Sequence, residues 1–183
     1  MEIVEQIRTR FHQQLLRKEL PARQANRSSA FLENAASVGL LFEATVLEDR
    51  NTVLRFAEQL KSKGKKVKLL GYFNEKLKSG DFPFDHFDKK QLDWALRPKS
   101  ETITNFANQT FDLLINVSPK TVLPLDYIAA CSKARFRVGP FTENTFCYDL
   151  MIDQDEKKGL EEFVRQVQFY LGKMQPALDT VFA

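Results

Sequence analysis

FDLLINVSPKTVLPLDYIAACSKARFRVG, residues 111–139, holds a strand, a helix and a second strand in succession. Phe111–Val117 (FDLLINV) is a short, nearly continuous apolar run, the pattern of a strand covered on both faces. Pro124–Lys133 (PLDYIAACSK) follows as a helix with proline in its first turn, where a missing N–H costs nothing. Arg135–Gly139 has room only for another short strand. A helix that joins two strands is a crossover, and a crossover makes them parallel.

The same alternation extends in both directions. Ser37–Thr45 (SVGLLFEAT) and Lys66–Phe73 (KVKLLGYF) are apolar strands, and Phe146–Ile152 (FCYDLMI) is a later one. Between the first two, Val53, Leu54, Phe56, Ala57 and Leu60 form a helical stripe that ends near Gly64, with Asp49 placed as its N-cap. Residues 74–100 are irregular, with Phe82, Phe84, Phe87 and Trp94 spaced among charges and a short strand expected near Gln91–Trp94. Ser100 caps a helix to about Gln109. The last helix runs from about Lys157 to Met174, with Leu160, Phe163, Val164, Val167, Tyr170 and Leu171 on one face. The expected fold is α/β, a three-layer Rossmann-like domain with a mostly parallel five- or six-stranded sheet, preceded by an N-terminal helix.

That helix spans about Glu2–Leu20, with Ile3, Ile7, Phe11 and Leu15 every four residues, and Pro21 ends it. Polar residues follow, so residues 1–34 form an amphipathic helix plus linker and residues 35–183 the α/β domain. Residues 1–30 carry six basic and three acidic side chains, a local excess equal to the net charge of +3 of the whole chain. Its apolar stripe is expected to dock on the body or on a second copy, so a homodimer paired through this helix is compatible with the sequence. An anionic surface or RNA is the less favoured partner, because Glu2, Glu5 and Glu19 dilute the charge. Lys61, Lys63, Lys65, Lys66 and Lys68 crowd a helix C-terminus, where cations offset the dipole.

Sixteen Phe against four Tyr and one Trp indicate a core rich in rings that need no hydrogen bond. Cys131 and Cys147 lie in apolar runs without a CxxC spacing, so buried free thiols are expected and metal or redox motifs are not. No apolar run approaches the length of a membrane span. The N-terminus lacks an apolar signal core, and the expected location is the cytoplasm.

In an open parallel sheet, ligands gather at the carboxyl ends of the strands. Those ends supply Glu43, Thr45, Asp49, Asn74, Asn116, Ser118 and Lys120, with Arg137 a further candidate. The turn after the first strand, Thr45-Val46-Leu47-Glu48-Asp49-Arg50, has no glycine and places two acids where a pyrophosphate would lie. This argues against a dinucleotide or P-loop nucleotide, and no cofactor is called for. His86 stands between Asp85 and Asp88 in FPFDHFDKK, which reads as a solvated loop clamped by its aromatics rather than an acid–base site.

Phe111–Ile115, Ala130–Phe136, Arg137–Gly139 and Tyr148–Ile152 resemble, in that order, an uncharacterised family of small Bacteroidota proteins, a domain of unknown function. The resemblance covers roughly residues 35–155 and implies cytoplasmic residence and no established activity. More distantly, the stretch is similar to the N-terminal half of heptosyltransferase-like (GT-B) glycosyltransferases. In their first loop a Gly-Asp pair carries a catalytic Asp; here the pair would be Glu48-Asp49. Those enzymes bind the sugar nucleotide mainly through a second domain of similar size, so the resemblance implies half a transferase without its donor site.

The function expected first is a non-catalytic binding or interaction module. A protein or enzyme that binds a nucleotide or sugar phosphate at Glu43, Asn74, Asn116, Ser118 and Lys120 is the alternative. RNA or ribosome association is a second alternative.

Overall fold

The computed structural model describes residues 2–19, 32–77 and 80–174. The expected linker, up to residue 31, lies outside them. Among the described residues six strands form one sheet: β1 (Ser37–Glu43), β2 (Lys66–Phe73), β3 (Asp85–Asp88), β4 (Leu113–Asn116), β5 (Phe136–Pro140) and β6 (Leu150–Ile152). Their spatial order is β3-β2-β1-β4-β5-β6, and every pairing is parallel. Five α-helices accompany them: α1 (Glu2–Glu19), α2 (Leu47–Ser62), α3 (Glu101–Ala107), α4 (Leu123–Cys131) and α5 (Gly159–Lys173). This is the expected α/β, Rossmann-like architecture.

The period of two along β1 sorts its side chains between two cores. Val38, Leu40 and Phe42 meet the stripe Val53, Phe56 and Leu60 of α2 and Leu160, Phe163 and Val167 of α5. Leu41 points the other way, into a cluster with Leu70, Leu114, Ile103 and Phe106 of α3, and Leu125 and Ile128 of α4. Helices therefore cover both faces, as parallel strands require. Leu16 of α1 joins the second cluster from outside α4.

Several local expectations change. The edge strand is Asp85–Asp88, not Gln91–Trp94; Gln91 ends a 3-10 turn and Leu92 makes only a lone antiparallel bridge to Pro98. A strand reading DHFD lacks an apolar run, and only Phe87 stacking on Tyr72 marks its inner side. Helix α2 begins at Leu47 with Val46 in the N-cap position, so Asp49 sits inside the first turn. There it favours the helix through the dipole rather than by capping. Ser100 does cap α3, its hydroxyl accepting from the Ile103 N–H at 3.3 Å. The last strand is confined to residues 150–152 because 141–149 are irregular.

The aromatic clamp in residues 80–88 forms as expected. Phe84 meets Phe42 edge-on at 5.0 Å, and His86 lies edge-on to Phe82 at 5.0 Å and to Phe73 at 5.8 Å. Asp88 is buried and accepts from the backbone N–H groups of Leu77 and Lys90, while Asp85 pairs with Lys68. Both acids beside His86 thus have structural partners. Within the lysine cluster, Lys65 donates to the carbonyls of Glu33 and Ala35, and Lys61 pairs with Glu58. Cys131 and Cys147 are buried free thiols.

Gly39 is needed where β1 passes under the Phe111 ring. A Cβ there would stand 2.8 Å from Phe111 Cε2 and 2.9 Å from Leu114 Cδ1. Gly39→Ala should cost about 1–3 kcal/mol through overpacking. Gly172→Ala on α5, where nothing lies within 4 Å, should be neutral or stabilise by a few tenths to about 1 kcal/mol. Urea unfolding midpoints of the two variants check this contrast.

Candidate functional site

The chain leaves β1 for one half of the sheet and returns to its other side at β4. Connections from these two strands therefore diverge, and a crevice opens between their carboxyl ends. A cavity of about 490 Å³ occupies it, lined by Arg8, Glu43, Tyr72, Asn74, Lys89, Leu92, Asp93, Leu96, Lys120, Thr121, Val122 and the start of α4 at Leu123 and Pro124. A smaller lobe of about 250 Å³ lies towards α2 and α5, lined by Glu43, Val46, Asp49, Val117, Ser118, Pro119, Lys120, Glu156, Gly159 and Leu160.

Glu43 and Lys120 line both lobes and form an ion pair at 3.2 Å. The parallel register sets Glu43 opposite Tyr72, so the last residue of β1 reaches the crevice beside a phenol. Tyr72 donates to Asn74 Oδ1 at 3.3 Å. Burial, and then the charges of Glu43 and Asp88, push its hydroxyl up to about 12, so it enters the crevice as a neutral donor. Asp49 in the smaller lobe is raised above the usual carboxylate range by burial and by Glu43, with Lys120 opposing.

The far wall is the loop 93–97, built around one carboxylate. Asp93 accepts from the backbone N–H groups of Ala95 and Arg97, both at 2.9 Å, and from Arg97 Nε at 2.8 Å. Burial alone would raise its pKa; the Arg97 hydrogen bonds and Lys99 outweigh it and hold Asp93 below the ordinary range. The loop presents Leu96 to the crevice at a φ of 61°. A branched side chain in the left-handed region costs roughly 1–3 kcal/mol, so the loop is held in shape by its surroundings.

Of the residues singled out from sequence, Glu43, Asp49, Asn74, Ser118 and Lys120 surround the two lobes. Thr45 lies just behind them, its Oγ1 accepting from the Asn74 N–H at 2.8 Å, which ties the ends of β1 and β2 together. Ser118 donates to the Lys120 carbonyl at 2.9 Å and shapes the turn. Asn116 is different. It is fully buried and turns into the core, donating to Tyr148 OH at 2.6 Å and to Asp126 Oδ1 at 3.4 Å.

Arg137 is also absent from the crevice. It lies in the amino half of β5, with no exposure, and donates to the carbonyls of Ala129, Ala130 and Phe146 and to Asp149. It neutralises the end of α4 and ties that helix to the sheet.

Sequence reasoning missed Arg8, Tyr72, Lys89, Asp93 and Leu96. Tyr72 was open to detection, since it faces Glu43 once the β1–β2 register is known. The others come from α1 and from segments with no period to read.

The geometry can be set beside known proteins. Residues 8–174 match a family of unknown function, DUF6913, and the chain belongs to that family. No curated protein matches it. Among solved structures, it is similar to the glycosyl transferase family 9 protein from Veillonella parvula DSM 2008, at 17% identity and a TM-score of 0.49. That match covers 81% of this chain and 44% of the other, so the chain spans less than half the length of that structure. Among the described residues no helix is long and apolar enough to cross a membrane.

The trio Asn116, Asp126 and Tyr148 carries a pH signature. Tyr148 donates to Asp126 Oδ1, while Asp126 Oδ2 and Asn116 Oδ1 are buried without a hydrogen-bond partner. Burial pushes the Asp126 carboxyl up to about 7, against the lowering effect of the Tyr148 and Asn116 hydrogen bonds. The unfolded chain releases this proton near 3.8, so the folded state binds more protons between the two values. The stability contributed by Asp126 then falls as pH rises from about 4 to about 7, and is level on either side. Asp126→Asn should lift the denaturation midpoint, with a gain that grows across that window and is constant above it. Urea titrations at several pH values check both sign and window.

Proposed function

We propose that this protein binds a small, polar, anionic molecule in the crevice between β1 and β4. The observation that carries this is the 490 Å³ cavity at the point where the strand connections diverge, with Lys120, Arg8 and Lys89 on its lining beside Glu43, Tyr72 and Asn74. The volume suits a single small metabolite. The three cations offer charge to a phosphate or carboxylate, while Glu43, the Asn74 amide and the neutral Tyr72 hydroxyl are suited to sugar-like hydroxyls.

An anionic group would compete with Glu43 for Lys120, whose side chain is about half exposed. The role is binding rather than catalysis. His12 is buried on the inner side of α1, His86 is held among phenylalanines, and neither lines the crevice. Glu43 is engaged in its ion pair with Lys120.

A thermal-shift panel of sugar phosphates, nucleoside phosphates and small dicarboxylates tests the reading. A ligand at a hundred times its dissociation constant adds about 2.7 kcal/mol, a rise of roughly 5–10 °C in midpoint for a domain of this size. Lys120→Ala and Asn74→Ala should each weaken a hit at least about tenfold, while Arg165→Ala on the outer face of α5 leaves it unchanged. A hit insensitive to both crevice variants, or silence across the panel, refutes the assignment.

A further inference from the structure

Helix α1 docks on the body, but through a different face from the one its apolar spacing suggests. Among the described residues His12 and Leu16 are the buried ones of this helix, His12 sitting edge-on to Tyr127 at 5.7 Å with its Nδ1 2.8 Å from the Ala95 carbonyl. Burial holds the His12 pKa below the usual imidazole value, which suits a neutral ring at this contact. The apolar stripe stays outside: Val4, Ile7 and Phe11 are 57%, 43% and 47% exposed.

The stripe does not end with the helix. Trp94, also 57% exposed, meets the Phe11 ring edge-on at 5.6 Å, and Arg8 Nε donates to the Trp94 carbonyl at 2.9 Å. Two aromatic rings and two aliphatic side chains thus form one outward apolar ridge across two elements. Large apolar groups exposed together, rather than singly, mark a surface that meets something.

The charges around the ridge define its partner. Positions 4, 7, 11 and 18 share one line of the helix, so exposed Lys18 continues the stripe, and exposed Arg10 flanks it. Arg8 borders the other side. The nearest acid beside Trp94, Asp93, is already taken up by Arg97 and Lys99. An apolar ridge edged by cations is complementary to a surface that is apolar within and negative at its boundary. A second copy of the same face would set cation against cation.

We infer that the α1–Trp94 face seats on an anionic lipid surface, with Val4, Ile7, Phe11 and Trp94 entering the headgroup boundary and Arg10 and Lys18 meeting the phosphates. Tryptophan suits that boundary because its ring is apolar and its N–H is wet. The contact is peripheral, and Trp94, Ile7 and Phe11 lie outside the crevice lining.

The chain has one tryptophan, so its emission reports this face alone. The full chain is mixed with vesicles of phosphatidylcholine, with and without phosphatidylglycerol, at about 50 mM and about 0.5 M salt. Cosedimentation and a blue shift of Trp94 emission are expected only with the anionic vesicles, and both should diminish at the higher salt. Ile7→Ser with Phe11→Ser should abolish binding; each of Arg10→Gln and Lys18→Gln should weaken it by roughly fivefold. All four positions are solvent-exposed, and circular dichroism confirms that the variants stay folded. Equal binding to neutral vesicles, no binding to either, or anionic binding insensitive to the ridge variants overturns the inference. So does a lipid-free blue shift that grows with protein concentration alongside a doubled mass in light scattering, which assigns the face to a second copy.

Discussion

Strand β1 is paired along both edges, and everything else in the molecule is arranged around that constraint. Seven residues of it run beside β2 and four beside β4, and Val38, Leu40, Leu41 and Phe42 have no exposure at all. Burying such side chains contributes roughly 1.5–3 kcal/mol each. A strand hemmed in on both edges and both faces can present only its end to solvent. Because the chain winds outward from β1 to β3 and then restarts at β4, the two connections leave that end in opposite directions. The crevice is thus a consequence of strand order, and its chemistry depends on what stands at the last residue of β1. Here that residue is Glu43.

The central strands were legible because each is apolar on both faces and flanked by polar turns, a pattern that survives without neighbours. Their order was not legible, since hydrophobic runs of similar length carry no address. The edge strand Asp85–Asp88 was missed for the opposite reason. Two of its four residues are acids, one paired with Lys68 and one spent on backbone N–H groups, so the segment has no apolar run to read. Asn116 shows the same limit at the site. Its place at the end of a strand was read correctly, but a strand end has two sides, and only packing reveals that this side chain faces Asp126 and Tyr148. In α1, spacing found an apolar stripe but not its direction, because the side chains buried against the body among the described residues include a histidine, which no apolar spacing marks.

The polar groups inside the fold are costly to bury, and their positions show what they hold. Arg137 reaches three carbonyls and Asp149 from the interior, so its charge is shared among several acceptors, two of them at the end of α4. Asp126, Asn116 and Tyr148 link the same helix to β4 and to the segment before β6. An apolar core would tolerate α4 sliding along the sheet; directional bonds from both of its ends do not. The first turn of α4 lines the crevice, so this fixed register also fixes one wall of the site.

The opposite wall is set by a single loop that serves two surfaces. Residues 93–97 show Leu96 to the crevice and Trp94 to the outside, and both orientations follow from the turn that closes around Asp93. Arg8 joins them, since it lines the crevice while its Nε holds the Trp94 carbonyl, and the Ala95 carbonyl meets His12. Helix α1 is therefore part of the site as well as the ridge. Among the described residues its seat includes the buried His12 and Leu16, the bonds of Arg8 and His12 to this loop, and Arg17 over the Phe146 ring. Any force that shifts α1 acts on the crevice through those bonds before it acts on the core. The crevice has one wall built into the sheet and one that depends on how α1 is held.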